Sequence, residues 1–445
     1  MGVGLLMAQS QEAHEKAVWS GEFELTSDAE LPERPLTAAG RPYDEARLLV
    51  RIGGEPIGFV TVGLGAALLS RAAILEAIRG ELEAVVRAEV ARQDLVGASS
   101  LSGASTADVS WRELGLERQR PVSVSVVVCT RNRASALSPC LESLRRLEHE
   151  ALDFIIVDNS PIDDSTRELV LEMADEDPRF QYVREPLPGL SHARNRGLAH
   201  STSEIIAYTD DDVRVDPLWI KGLLRGFGRR ADVGCVTGMV ASASLELPVE
   251  QYFDGRVGWS SNCEPVIYDA RRGAVSTALY PYAGGMFGTG ANFAARTELL
   301  LEVGGFDECL GAGSPCDGGE DFDIFVRLVR AGHSIAYEPA ALVWHEHRSE
   351  QDDLRRQMYG YGKSLSAYLF KYASSRRTGF DILRRLPQGL RHLGVLGLRS
   401  SRMGSQTGLS YKPVMAEVRG LVAGPFAYVR ARRAQDPERR RAVAP

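Results

Sequence analysis

Apolar runs and helical patterns alternate between Val122 and Asp212, and this alternation constrains the chain more than any other feature. Val122-Ser-Val-Ser-Val-Val-Val-Cys-Thr130 is a β-branched run long enough for a central strand buried on both faces. Residues 138–147 read as a helix, with Pro139 in the first turn. Phe154-Ile-Ile-Val157 is the next strand and ends in Asp158-Asn-Ser160. A helix over 164–174, a short strand at 181–183, and a loop and helix over 189–200 follow. Glu204-Ile-Ile-Ala207 then leads into Tyr208-Thr-Asp-Asp-Asp-Val213. Strands separated by helices imply a parallel α/β sheet, whose ligands bind at the carboxyl ends of its strands. Thr130, Asp158 and Asp210 all fall at such ends.

Asp210, Asp211 and Asp212 crowd three carboxylates at the mouth of a buried strand, where they repel one another. A divalent cation bound to a phosphate is the simplest counter-charge. Residues two apart on an extended backbone point the same way, so Asp210 and Asp212 can share one face around Asp211. A polar turn ending a strand is the plainer reading of three aspartates alone.

The 445 residues leave room for two or three domains, and 44% apolar with 25% charged residues is the composition of a globular protein. No run reaches the roughly 18–20 apolar residues of a membrane span. The apolar stretch at 3–7 lacks a basic leader and a cleavage pattern, so no signal peptide is expected. The cysteines at 129, 140, 235, 263, 309 and 316 form no C-x-x-C pair and read as reduced structural thiols of a cytoplasmic protein.

Residues 1–120 are expected to form a small α+β accessory domain and linker. A β-hairpin over 46–62 turns at Gly53-Gly54. One amphipathic helix over 70–96 follows, capped by Ser70 and closed by Gly97, and residues 97–108 read as a linker. Residues 351–445 are expected to be a basic helical segment, with helices over 354–372, 380–398 and 415–433. From Gln351 onward 19 Lys and Arg face 6 Asp and Glu, on a chain of net charge -7. Such helices suit an anionic membrane surface, and packing against the preceding domain is the alternative.

Residues 238–283 read as irregular, with Tyr252, Phe253, Trp259, Tyr280 and Tyr282 available for stacking or for ordinary packing. Tyr282-Ala-Gly-Gly-Met-Phe-Gly-Thr-Gly-Ala-Asn292 lacks the Lys of a nucleoside-triphosphate loop. A helix over 296–303 is closed by Gly304-Gly305, and Gly318-Gly-Glu-Asp321 precedes a helix over 322–331. Asp321 suits a helix amino terminus as a cap. In Val343-Trp-His-Glu-His-Arg348 the two histidines face one side if the segment is extended; in isolation they read as surface or packed histidines, and in a metal site begun by two carboxylates His345 is favoured over His347.

Six motifs in order carry a family resemblance: Val128-Cys-Thr-Arg-Asn-Arg133, Val157-Asp-Asn159, Ala193-Arg-Asn-Arg-Gly197, Thr209-Asp-Asp-Asp212, Gly318-Gly-Glu-Asp321 and Trp344-His-Glu-His347. Over residues 121–350 the chain resembles the inverting family 2 glycosyltransferases of the GT-A fold. The resemblance implies a mostly parallel sheet flanked by helices, and sugar transfer from a nucleotide-diphospho-sugar with Mn²⁺ or Mg²⁺ on the diphosphate. It implies that Thr130 and Arg131 cup the nucleoside and that Asp158 accepts from the base. An N3–H donor favours a UDP- or TDP-sugar, though guanine or ribose would also use an acceptor. Arg194 would reach the diphosphate, Asp210 the ribose and metal, Asp211 the donor, and Asp212 and His345 the metal. Gly290 and Asn292 would lie under donor sugar and acceptor. Asp321 would deprotonate the acceptor hydroxyl, with Glu320 as its competitor for that role.

A nucleotidyltransferase would share the sheet and aspartates but needs an early glycine- and basic-rich phosphate loop, which residues 129–133 do not supply. A non-catalytic carbohydrate- or lipid-carrier-binding protein is the third reading. The expected partners are the donor, an acceptor glycan, lipid carrier or small molecule, and an anionic membrane surface, with no nucleic acid. The expected location is the cytoplasm, peripheral on the inner face of the membrane.

Overall fold

A computed structural model describes residues 16–99 without 30 and 65–67, residues 121–385 without 271–278 and 348–349, residue 387, and residues 412–435. The expected linker over 97–108 and most of the helix over 380–398 lie outside the described residues. Among those described, the strands form two sheets.

The smaller sheet joins β1 (Val18–Glu24), β2 (Glu45–Ile52) and β3 (Glu55–Gly63). The expected hairpin is β2 and β3, and Gly53 and Gly54 take the positive φ of 57° and 84° that a two-residue hairpin turn requires. β1 was not anticipated, and it pairs parallel to β2. The single helix expected over 70–96 is two, Arg71–Glu81 and Glu83–Ser99, because Leu82 leaves helical geometry at φ -121°. Ser70 does cap the first, accepting from the Ala73 amide at 3.2 Å. Gly97 lies inside the second helix instead of ending it.

The larger sheet contains β4 (Val124–Thr130), β5 (Leu152–Asn159), β6 (Phe180–Glu185), β7 (Ile205–Asp210), β8 (Val213–Val215), β9 (Val233–Ser242), β10 (Val266–Tyr268), β11 (Asn292–Arg296) and β12 (Ser334–His345). Its order is β10-β12-β9-β11-β7-β4-β5-β6, with β8 against β12. β4, β5, β6 and β7 run parallel, as do β9 and β12, while β11 is antiparallel between β7 and β9. This mixed α/β sheet flanked by helices is the GT-A arrangement. All ten residues of β9 are buried, so residues 238–242 are sheet, not irregular chain. A helix, Pro248–Arg256, follows, and Tyr252 and Tyr282 are core residues.

Helix boundaries differ where the backbone finds a partner that sequence patterns miss. The first helix of the larger domain is Ala134–Arg145, because the Arg133 carbonyl already accepts from the amides of Ala136 and Leu137. Pro139 is therefore inside it, beyond the first turn. The helix expected over 322–331 is Glu320–Arg330, so Glu320 and Asp321 belong to its first turn. The six cysteines are all free.

The carboxy-terminal helices Gln351–Ala373 and Lys412–Gln435 pack on each other. Leu354, Met358, Tyr368 and Tyr372 of the first are buried against the larger domain, which is the packing alternative. No helix among the described residues is long and apolar enough to cross a membrane. The two helices touch at glycines: a Cβ on Gly362 would meet the Glu417 carbonyl, and one on Gly420 the Tyr359 carbonyl. Gly420→Leu is expected to force this pair apart at a cost of about 1–3 kcal/mol. A lower thermal midpoint and faster tryptic release of the tail would register it, and an unchanged midpoint would show that the contact contributes nothing.

Candidate active site

Strand order reverses between β4 and β7, and the crevice outside the carboxyl ends at such a reversal is where open α/β sheets take ligands. Thr130 ends β4 and Asp210 ends β7. A cleft of about 610 Å³ opens there, lined by Thr130, Arg131, Asp210, Asp212, His345 and, from the carboxy-terminal helix, Tyr361. His345 reaches the aspartates because β12 pairs antiparallel with β8, setting His345 opposite Val213. One ligand atom from each of Asp210, Asp212 and His345 lies within 4.8 Å of the others. Two hard carboxylate oxygens and an imidazole nitrogen at this spacing fit Mn²⁺ or Mg²⁺.

The three aspartates have different surroundings. Asp211 is buried, accepting from the Thr130 hydroxyl at 2.6 Å and from Arg133 Nη1 at 2.7 Å. Burial outweighs those bonds and lifts its carboxyl to about 6. Asp210 is also raised, by burial first, with Arg194 opposing and the Asp212 charge adding. Burial would raise Asp212 too, but His345 Nε2 at 3.2 Å and Arg133 Nη2 at 2.9 Å hold it well below the usual carboxylate range. Asp212 is thus the aspartate held most firmly as an anion.

A second acidic group lies behind the first. Glu320 is buried and pairs with Arg194 at 2.8 Å, and burial raises it to about 7 despite that partner. Arg194 also reaches Asp210 at 3.5 Å and the Gly290 carbonyl at 3.0 Å. The rings of Tyr208, Phe293 and Phe306 surround its guanidinium. Asp321 is half-buried and accepts from the amides of Gly290 at 2.7 Å and Phe322 at 2.8 Å. Burial raises its carboxyl above the ordinary value.

Several residues sit otherwise than the sequence suggests. The Arg194 donors are engaged inside the protein, beneath the carboxylates, rather than turned toward a diphosphate. Asn292 is fully buried and structural: its Oδ1 accepts from Trp219 at 2.8 Å, and its Nδ2 donates to the carbonyls of Met239 and Ala341. It ties β11 to the irregular β9–β12 pairing and cannot meet a sugar. Gly290 contributes backbone only, to Asp321 and Arg194. Asp158 is buried in register with Thr130; its Oδ2 accepts from Tyr182 at 3.0 Å and its Oδ1 has no partner. Arg131 is exposed on the cleft wall. Sequence reasoning passed over Arg133, although it stands in the first motif, because it lies beyond the strand end where alternation no longer predicts direction.

A mixed α/β sheet with a D-X-D triad at its order reversal defines a GT-A glycosyltransferase fold. Residues 125–301 match the family described as Glycosyl transferase family 2, and the chain carries a glycosyltransferase domain of that family. It is 30% identical over 240 residues to the pre-mycofactocin glycosyltransferase of Mycobacterium tuberculosis, covering 53% of this chain and 46% of the relative. The chain thus spans about half that relative's length. It is 25% identical over 268 residues to the glucosyl-dolichyl phosphate glucuronosyltransferase of Haloferax volcanii, covering 58% of this chain and 82% of the relative. Among solved structures, the mannosyltransferase PcManGT from Pyrobaculum calidifontis, in complex with GDP-Man and Mn²⁺, superposes with a TM-score of 0.45 at 19% identity, covering 72% of this chain and 93% of that one.

Arg194→Met is expected to destabilise the fold by about 3–5 kcal/mol, because it leaves Glu320 buried without its cation. Thermal unfolding measures this, and Arg194→Met combined with Glu320→Gln should recover part of the loss. A double variant no more stable than the single one would deny the pairing its role.

Proposed function

We propose that the chain is an inverting, metal-dependent glycosyltransferase that moves a sugar from a nucleotide-diphospho-sugar to an acceptor hydroxyl. The observation that carries this reading is the convergence of Asp210, Asp212 and His345 on one cleft wall, at the reversal between β4 and β7. A divalent cation held there would neutralise the departing diphosphate. Asp321 is the proposed base. Glu320 is committed to Arg194, whereas Asp321 is half-buried, aimed by two amides and raised toward a base's working range. The acceptor oxygen bonds to the sugar's anomeric carbon as its proton passes to Asp321. The bond from that carbon to the diphosphate breaks from the opposite face, and its electron pair leaves on the diphosphate oxygen.

The orphaned Asp158 Oδ1 supports a pyrimidine donor. An unpartnered buried carboxylate oxygen is costly, and a base N3–H would relieve it. UDP- and TDP-sugars are therefore the donors proposed, with Thr130 and Arg131 beside the nucleoside and Asp211 shaping the wall through Thr130. Arg194 is assigned to positioning Glu320 and Asp210.

Asp321→Asn should cut transfer roughly 10²–10⁴-fold while leaving Mn²⁺-dependent nucleotide binding near wild type. Asp212→Asn should weaken metal and nucleotide binding together. Because Asp321 acts as a carboxylate and its pKa is raised, the acid limb of kcat/KM should lie above the roughly 3.9 of an ordinary Asp. A dead Glu320→Gln beside an active Asp321→Asn would move the base by one residue. Nucleotide affinity that is equal with Mn²⁺ and with EDTA would defeat the metal reading.

The protein is further proposed to sit in the cytoplasm, peripheral on an anionic membrane face. Met415, Val418, Val422 and Phe426 form one exposed stripe on the last helix, with Phe426 76% exposed. Arg419, Arg430 and Arg433 are exposed on the same helix. Apolar anchors beside basic side chains suit a lipid interface, each cation being worth about 1 kcal/mol near anionic lipid. The double variant Val422→Asp and Phe426→Asp should lose co-sedimentation with anionic vesicles at low salt. Sedimentation equal to wild type would leave the helix a packing role only.

A further inference from the structure

The imidazole of His345 ends a hydrogen-bonded chain that starts in the amino-terminal sheet. Arg47 of β2 pairs with Asp254, on the helix after β9. The Ser242 hydroxyl, at the end of β9, donates to Asp254 Oδ1 at 2.7 Å. A carboxylate has no proton to return, so Ser242 spends its single proton there and its oxygen must accept from the other side. That other neighbour is His347 Nε2, at 2.7 Å, which therefore carries a proton. A neutral imidazole carries one proton, so with Nε2 protonated the Nδ1 of His347 is bare. His347 Nδ1 lies 3.3 Å from His345 Nδ1 and can only accept. His345 then keeps its proton on Nδ1, and Nε2, 3.2 Å from Asp212, is the nitrogen facing the aspartates. The Phe253 ring, 4.6 Å from the His347 ring centroid to centroid, fixes the plane of the relay.

We propose that Arg47, Asp254, Ser242 and His347 form a tautomer relay that presents the Nε2 lone pair of His345 to the cation held by Asp210 and Asp212. Ser242 and His347 are positioning residues acting through His345, and the amino-terminal sheet gains a part in metal binding by anchoring Asp254. The inference rests on the metal site proposed above. It also assigns His347 to the second layer rather than to the metal. Histidine ligands are commonly oriented in this way, and losing such a partner typically costs about 10–100-fold in metal affinity.

The test is titration of the full chain with Mn²⁺ alone, without nucleotide or acceptor, following the paramagnetic resonance signal of the free ion. Ser242→Ala should weaken Mn²⁺ binding about 10-fold or more. It should also narrow the preference for Mn²⁺ over Mg²⁺, since imidazole favours the softer ion. His347→Gln keeps an acceptor oxygen for the His345 Nδ1–H and should stay within a few-fold of wild type, whereas His347→Leu should fall as far as Ser242→Ala. A general packing defect would lower the thermal midpoint without separating Gln from Leu or moving the Mn²⁺ to Mg²⁺ ratio. Wild-type Mn²⁺ affinity in both Ser242→Ala and His347→Leu overturns the relay alone. Equal loss in His347→Gln and His347→Leu overturns it in favour of direct ligation by His347. A wild-type protein that binds no Mn²⁺ overturns the metal reading and the relay with it.

Discussion

The buried guanidinium of Arg194 is the contact on which the cleft floor depends. It reaches Glu320 from one helix, Asp210 from β7 and the Gly290 carbonyl from the loop before β11. Without it, Glu320 would be an uncompensated buried anion beside Asp321 and Asp210. Arg133 does the corresponding work in front, bridging Asp211 and Asp212. Five acidic side chains thus meet at one edge of the sheet, between a cation fixed behind and a half-exposed one in front. Arg194 is packed under three aromatic rings and has nowhere to go. The Arg133 side chain is 47% exposed and is held by ion pairs to Asp211 and Asp212.

Most of the larger sheet was legible in the sequence because its signals are local. β4, β5 and β7 are apolar runs that end in a polar residue, and each lies within about two residues of its expected place. β9 and β11 were not legible. β9 is buried along its whole length but contains Gly, Cys, Thr and Ser, so it lacks the β-branched density of β4. β11 follows a glycine-rich loop, and its first residue, Asn292, is polar only because two strand carbonyls and an indole demand partners there. An asparagine satisfying a distorted strand pair and one meeting a sugar look the same in a linear sequence.

The acidic motifs were legible for a different reason: carboxylates crowded at strand ends need a counter-charge whatever surrounds them. Which arginine supplies it was not. Arg131 and Arg133 follow a strand end and Arg194 and Arg196 lie within the helix Leu190–His200, and their directions come from helix rotation and side-chain packing, which composition does not encode. The same holds for Ser242 and Asp254, which have no neighbour in sequence that would mark them out. They meet His347 because β9 and β12 run parallel with Ser242 opposite His345.

The flanking segments brace the catalytic sheet from opposite sides. Arg51 of β2 pairs with buried Asp216 at 2.5 Å, and Glu338 of β12 takes Arg225 and Arg229 at 2.5 Å each while Arg225 also pairs with Glu55. These contacts hold the amino-terminal sheet against the β9–β12 side, where Leu49 packs with Met239, Ala241 and Leu342. In front, the helix Gln351–Ala373 lays Gly360 and Tyr361 along the cleft, with the Tyr361 ring 6.2 Å from that of Phe253. The aspartate side of the cleft is built by the ends of the sheet's strands, whereas part of the outer rim is built by the tail. Differences between this chain and its relatives in the tail would therefore act on whatever approaches that rim, leaving the aspartates, His345 and their arginines unchanged. A rim built from a separate segment can vary while the residues at the sheet edge stay fixed.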